Sequence, residues 1–175
     1  MIRLRRLDAG AALAGALAAA GLLAAPSTGA AAPIVAPAAF GVGALAPLLI
    51  AHGVGAQVYE CKADKGGAPA WTFREPVATL IQDGRTIGRH YAGPAWALDD
   101  GGVIHGKVVA TLPGGAPDDI PILKLAVTDR SGAGVLKAAR LALRLNTQGG
   151  ALSGPCPALG ALQAAPYSAD YVFLP

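Results

Sequence analysis

Short segments in which apolar and polar side chains alternate are the feature that most restricts the fold of this chain. Residues 103–112 alternate with a period of two, which places Ile104 and Val108 on one face of a strand and Val103 and Val109 on the other. Similar segments recur roughly every ten residues and are bounded by Gly, Pro or Asp-Gly turns. No long amphipathic helix interrupts them. The pattern predicts an all-β fold, a single antiparallel sandwich or barrel-like domain.

Three local predictions follow from this pattern. Short strands are expected at 48–51 and 56–61, separated by a break at the Gly-Val-Gly of residues 53–55. Asp83-Gly84 predicts a tight hairpin between two strands. Residues 136–147 are ambiguous, because their basic residues share a helical face while Leu141, Leu143 and Leu145 alternate at strand spacing. We predict a strand there because the neighbouring segments are strands.

The first 32 residues have the pattern of a cleavable signal peptide. Arg3, Arg5 and Arg6 precede the apolar stretch Ala11–Ala25, and small residues that suit a signal peptidase follow. The apolar stretch is too short and too rich in Ala and Gly for a membrane span. The paired arginines leave twin-arginine export open beside the general secretory route, although the usual flanking residues are missing.

This leader sets the expected organisation and location of the protein. We predict a signal peptide over 1–32, a Pro/Ala-rich arm over 33–47 and one β-rich domain over 48–175. The mature protein is expected to be exported, periplasmic or extracellular, with no integral membrane segment after cleavage. The chain carries 14 Lys+Arg against 11 Asp+Glu, and three of those arginines lie in the leader. The remaining charge is nearly balanced, so no nucleic-acid partner is predicted.

Two cysteines fit an oxidising compartment. Cys61 and Cys156 are the only two in the chain, so the pairing is unambiguous if a bond forms. Free thiols and a redox pair are the alternatives, but redox pairs usually have the CxxC spacing. We therefore favour one long-range structural disulfide.

The segment 88–101 is the candidate ligand-binding site. It contains His90, Tyr91, Trp96, Asp99 and Asp100, so aromatic rings and hydrogen-bonding groups lie close together in sequence. Such a set suits a small molecule or an envelope polymer as partner. The competing interpretation is that the aromatic residues belong to the core and the aspartates to a turn.

Catalysis has only weak support in the sequence. An acid–base site would pair His90 with Asp99 or Asp100, and this small secreted enzyme is one alternative function. No serine lies in a GxSxG motif, so a nucleophile elbow is absent. A non-catalytic binding or envelope-associated module is the leading hypothesis. A purely structural surface protein is the third.

Neither a metal nor a cofactor is predicted. The three histidines, His52, His90 and His105, lack the HxH or HExxH spacing of metal sites. Residues 41–46 match the dinucleotide motif GxGxxA, but a Pro/Ala arm precedes them and Pro47 follows. That motif needs a strand before it and a helix after it, so the match is interpreted as accidental.

Several motifs, taken in order, resemble one known family. They are Gln57–Cys61, Trp71-Thr72-Phe73, the His-Tyr-Ala-Gly-Pro-Xaa-Trp of 90–96, Arg144–Thr147 with Gly149-Gly150, Cys156, and Pro166–Tyr171 with Phe173. On these residues the chain resembles the domain-of-unknown-function 3455 family of secreted bacterial and fungal proteins, over about residues 45–174. The resemblance implies export, a two-cysteine framework and a single β-rich domain, with no established activity. Some members carry a dehydrogenase label, which nothing in these residues supports.

The chain departs from the family pattern at two places. The family tends to have Asp-Gly-Ser after the central Trp, whereas Gly102 follows Asp100-Gly101 here. It also tends to have a Trp before its Leu-rich strand, whereas Pro121 is followed by Ile122. A site that relied on that Ser or that Trp would be weakened in this protein.

Overall fold

An eight-stranded antiparallel sheet closes on itself in the computed structural model, which describes residues 35–175. Each strand pairs with its neighbours in sequence, and the last strand pairs with the first. The prediction of an all-β antiparallel domain is thus confirmed in its barrel form. The strands are β1 Leu49–Ala63, β2 Pro69–Gln82, β3 Arg85–Tyr91, β4 Ala95–Leu98, β5 Val103–Leu112, β6 Ile122–Ser131, β7 Leu141–Gly149 and β8 Leu162–Leu174.

The predicted signal peptide lies outside the described residues, as do the first two residues of the predicted arm. The rest of the arm contains a short 3₁₀ turn, Ala38–Phe40, whose Phe40 side chain is buried. The Lys124 ammonium on β6 donates a hydrogen bond to the Phe40 carbonyl at 2.6 Å. This part of the arm is therefore held against the outside of the barrel. The two described helical segments are too short to cross a membrane.

The predicted break at residues 53–55 is wrong, because β1 runs through it as one strand of 15 residues. Gly53 makes room inside the barrel and does not turn the chain. A Cβ atom built on Gly53 would lie 2.5 Å from Cε2 of Tyr171 on β8, well inside van der Waals contact. The glycine therefore lets the buried Tyr171 ring lie against the β1 backbone.

The predicted hairpin at Asp83-Gly84 is confirmed. Both residues have positive φ angles, 49° and 74°, as a two-residue type I′ turn requires. The ambiguous segment 136–147 divides into two parts. Val135–Ala138 forms a 3₁₀ turn and the strand starts at Leu141, so the strand prediction is confirmed only for its second part.

One end of the barrel is closed by an aromatic and aliphatic core. Trp96 contacts Tyr171 and Phe173 edge-on, with ring centroids 5.7 Å apart in each pair. Leu136 of the 3₁₀ turn joins this core and is fully buried. Asp100 holds the turn in place, since its two carboxylate oxygens accept hydrogen bonds from the Gly102 and Val135 amides at 2.9 and 2.8 Å.

The opposite end carries the longer loops and the disulfide. Cys61 at the end of β1 is bonded to Cys156, with their Cα atoms 5.7 Å apart, which confirms the predicted pairing. The bond ties the β7–β8 segment, residues 150–161, to β1. Asp119 similarly fixes the β5–β6 loop by accepting a hydrogen bond from the Gly149 amide at 2.6 Å.

We predict that loss of the disulfide destabilises the barrel. It closes a loop with a sequence separation of 95 residues, so the double variant Cys61→Ser/Cys156→Ser should lose about 2–5 kcal/mol of unfolding free energy. Urea unfolding measures this change. Reducing the wild-type protein should lower its midpoint similarly and leave the double variant unaffected; an unchanged wild-type midpoint would contradict the prediction.

A second prediction concerns Gly53. In Gly53→Ala the new methyl group would clash with Tyr171, which should cost about 1–3 kcal/mol of unfolding free energy. The neighbouring Val54 is 46% exposed, so Val54→Ala is the matched control and should change stability by about 0.5 kcal/mol or less. Equal losses in the two variants would show that Gly53 has no special role.

Candidate functional site

A cavity of about 460 Å³ lies at the end of the barrel that carries the long loops. Its walls are mostly apolar, and several polar side chains reach into it from different strands. The apolar lining comes mainly from Phe73, Pro76, Val108, Ile120, Pro121 and Leu123. The polar lining comes from Gln57, Tyr59, Arg74, His90 and Arg144.

Strand register explains why two of these polar groups, His90 and Arg144, point inward. Successive side chains of a strand face opposite sides of the sheet, so a residue paired with an inward neighbour also points inward. His90 on β3 is paired with Trp96 on β4, and Arg144 on β7 with Tyr171 on β8. Both partners belong to the buried core. The polar groups thus lie directly beside the core that closes the other end.

His90 is held rigidly in the cavity wall. Its ring stacks on Trp96, with centroids 4.7 Å apart and an interplanar angle of 14°, and the Tyr171 ring lies 4.9 Å away. Nδ1 donates a hydrogen bond to the Ala95 carbonyl at 2.8 Å. In the neutral ring this leaves Nε2 unprotonated, as a hydrogen-bond acceptor.

Burial keeps His90 neutral at physiological pH. The pKa of His90 falls from 6.5 to about 4, mainly because of burial; the hydrogen bond to Ala95 opposes this shift, and the Arg144 charge makes a smaller contribution in the same direction as burial. A charged imidazolium would lose its water shell in this position, which disfavours the protonated form. At neutral pH, His90 is consequently an uncharged acceptor and a weak base.

Gln57 belongs to the cavity wall and has a buried side-chain amide. Its side chain is only 2% exposed, and its Nε2 atom has no hydrogen-bond partner. The amide lies near Tyr167, whose hydroxyl is 2.9 Å from that of Tyr171. Buried polar atoms are almost always hydrogen-bonded, so the unpartnered Nε2 atom of Gln57 is an exception that needs an explanation.

Arg144 adds a positive charge beside the two tyrosines. Its Nε and Nη2 atoms donate to the Pro121 carbonyl at 3.1 and 2.9 Å. Burial lowers the pKa of Arg144, and nearby Tyr171 partly offsets that effect. Burial also raises the pKa of Tyr167, and raises that of Tyr171 well above its usual value of 10, so both phenols stay neutral.

The candidate site residues chosen from the sequence lie in different parts of the structure. His90 lines the cavity, and Trp96 lies behind it in the core. Tyr91 lies on the outer face of β3, where the Arg89 guanidinium is 5.4 Å from its ring. Asp99 and Asp100 are at the opposite end of the barrel and line a different hollow. The aspartates and His90 are therefore not brought together.

Gln57 and Arg144 are cavity residues that the sequence reasoning missed. In β7 the hydropathy pattern favours the leucine face as the interior, yet Leu143 and Leu145 lie on the outer face and Arg144 points inward. A single polar residue inside an apolar strand was the available signal in each case. A single polar residue in an apolar strand is also typical of a surface position, so this signal could not distinguish a cavity residue from a surface residue.

No group of three or more His, Cys, Asp or Glu side chains within residues 35–175 is arranged to hold a metal ion. His52 lies outside the cavity and bonds to Asp170 at 2.8 Å. Residues 41–46 follow a short 3₁₀ turn and belong to no strand–helix unit. The dinucleotide motif therefore lacks the structural context that it requires.

Comparison with known proteins identifies the family of this chain. A family model described as "Protein of unknown function (DUF3455)" matches residues 43–175. The matched region contains all eight strands, the disulfide and every residue of the cavity. No curated protein and no solved structure matches the chain.

The neutral state of His90 predicts an acid-sensitive stability. The unfolded chain takes up this proton near pH 6.5 and the folded protein only near pH 4. The unfolding free energy should therefore be undiminished above pH 6.5 and fall by about 3 kcal/mol as the pH drops to 4.

The variant His90→Gln tests this assignment, because it removes the titrating group and keeps a donor for the Ala95 carbonyl. Urea unfolding across this pH range should show a smaller slope for His90→Gln than for the wild type. His105→Gln is the control and should retain the wild-type slope. Identical slopes in His90→Gln and the wild type would refute the assignment to His90.

Proposed function

The chain belongs to the DUF3455 family of proteins of unknown function, and from that premise we propose that it is an exported, non-catalytic module that binds a small molecule. The binding site would be the open end of the barrel. A cavity of about 460 Å³ is within the size range of small-molecule pockets, and its mostly apolar walls with few polar groups are typical of them. A polymer could insert only a terminus or a side group into such a cavity.

The observation that carries this proposal is the unpartnered Nε2 atom of Gln57 at the cavity wall. Leaving a buried donor unsatisfied costs about 1–3 kcal/mol of folding free energy. A ligand acceptor at this position would recover that cost on binding. The neutral His90, in the same cavity wall, offers the complementary acceptor, Nε2, so the site can distinguish donor and acceptor groups.

The wall that holds these groups is already formed. His90 is fixed by its stack on Trp96 and by its bond to the Ala95 carbonyl. The β5–β6 loop is fixed through Asp119 and through the Arg144 bonds to Pro121. A preorganised site loses little conformational entropy when it binds a ligand.

Two features favour binding over catalysis. No Asp or Glu of the described residues lines the cavity, so His90 has no carboxylate partner there. Asp100 already accepts two backbone hydrogen bonds at the other end. In addition, a histidine with a pKa of about 4 is a weak general base at neutral pH.

The location in this proposal is supported by the disulfide together with the leader pattern. Structural disulfides persist in oxidising compartments, such as the periplasm and the extracellular medium. Cys61–Cys156 is formed in the structure, and no free cysteine occurs within residues 35–175. Detection of the cleaved protein outside the cytoplasm would test this part of the proposal.

We predict that the oxidised protein binds the uncharged fluorophore N-phenyl-1-naphthylamine saturably, with one site per chain. Val108 lines the cavity, so Val108→Trp should fill part of it and weaken binding at least about tenfold, or 1.4 kcal/mol. The next residue, Val109, does not line the cavity and has a similar exposure, 54% against 43%. Val109→Trp is therefore the matched control and should bind like the wild type.

Fluorescence titration measures both variants, and a thermal melt checks that they are folded. Equal weakening by both substitutions would mean that the fluorophore binds to the outer surface. Absence of saturable binding in the wild type would favour the purely structural role.

A further inference from the structure

Arg144 is a half-buried cation without a paired carboxylate. Its guanidinium points into the barrel and donates to a neutral group, the Pro121 carbonyl, through Nε and Nη2. No carboxylate within residues 35–175 lies within 4.0 Å of it, although Lys62 pairs with Glu60 and Arg74 with Glu75 there. A charge with restricted access to water is more costly to retain unpaired than paired.

The other residues of the cavity lining do not neutralise the Arg144 charge. The second charged residue of the lining is also an arginine, Arg74, which is paired with Glu75 at 3.2 Å. His90, Tyr167 and Tyr171 are uncharged at neutral pH because burial disfavours their ionised forms. Nothing on the described lining therefore offsets the Arg144 charge.

Free hydrogen-bond donors accompany this charge. An arginine has five N–H groups, and two of those on Arg144 donate to Pro121. Gln57 contributes the unpartnered Nε2 atom. The Tyr167 hydroxyl lies near Gln57, and the Tyr171 hydroxyl, which bonds to it, lies near Arg144. Acceptor oxygens that carry a negative charge match this combination best.

The rest of the cavity wall is apolar. Phe73 and Val108 line it and are about half exposed, and Leu123 continues the wall towards the core. A ligand that satisfies both parts of the site has a charged head and an apolar body.

Building on the proposed function, we propose that the cavity binds an amphiphilic monocarboxylate. Its carboxylate accepts hydrogen bonds from Arg144 and Gln57, and its hydrocarbon body lies against Phe73, Val108 and Leu123. His90 Nε2 is an acceptor and takes no part in holding the carboxylate. It is free to accept from a hydroxyl or N–H group elsewhere on the ligand.

The test compares two probes that differ only in the head group, decanoate and decan-1-ol, by calorimetric titration of the oxidised wild-type protein at neutral pH. Charge-assisted hydrogen bonds should make decanoate bind at least about tenfold more tightly. Decanol binding equally well or better would overturn the inference and leave the proposed function standing.

Variants locate the preference at Arg144. Arg144→Gln should abolish the preference for decanoate while decanol binding is retained. Arg140→Gln removes the same charge from an exposed position outside the cavity, so it should keep the preference. A preference that survives Arg144→Gln would overturn the assignment to this residue.

Two further measurements distinguish a failure of this inference from a folding defect of the variant and from a failure of the proposed function. If Arg144→Gln does not fold, Arg144→Lys retains the charge and should retain part of the preference; its complete loss in a folded Lys variant would count against a charge interaction. Failure of both decyl probes in a protein that still binds the neutral fluorophore overturns this inference alone. Failure of all three probes overturns the proposed function as well.

Discussion

The contact between the Tyr171 ring and Gly53 on β1 is the interaction on which the rest of the interior depends. Gly53 leaves the space that the Tyr171 ring occupies, and the ring in turn packs edge-on against Trp96 and beside His90. The hydroxyl of the same residue bonds to Tyr167 and lies near Arg144. Tyr171 therefore joins the apolar core at one end of the barrel to the polar groups at the base of the cavity.

The two ends of the barrel interior differ in packing: one end is filled by large side chains, and the other contains the cavity. At one end the side chains are large and fill the space, and the 3₁₀ turn held by Asp100 completes the closure. At the other end the Nε2 atom of Gln57 has no hydrogen-bond partner, and Arg144 has no paired carboxylate. The wall there leaves a cavity. Interiors are usually packed at crystal-like density, so an open half with unsatisfied polar groups suits binding better than it suits stability. The disulfide and the Asp119 contact hold the loops around this half.

Much of the fold was predictable because its signals are local. The alternation in β5, the Asp83-Gly84 turn and the single possible cysteine pairing each depend on few residues, and all three are confirmed. The predicted break at Gly53 was wrong because the sequence alone does not distinguish a glycine that makes room for a distant ring from a glycine at which the chain turns. The candidate site was only partly predictable for a related reason. His90 and Asp100 are neighbours in sequence, yet the antiparallel course of β3 and β4 carries them towards opposite ends of the barrel.

The sequence by itself determined the secondary-structure class, the antiparallel connectivity of neighbouring strands and the covalent link, because periodicity, turn chemistry and the cysteine count are properties of the chain. Only the tertiary structure decided that the sheet closes on itself, which face of β7 points inward and which polar groups share one cavity. Those outcomes depend on the pairing of β8 with β1, residues that are more than a hundred positions apart. Closure of the sheet turns Arg144 and Gln57 towards the cavity, whereas Leu143 and Leu145 lie on the outer face, where they are also buried. Hydropathy along a single strand cannot distinguish these alternatives, since both faces of β7 carry buried residues.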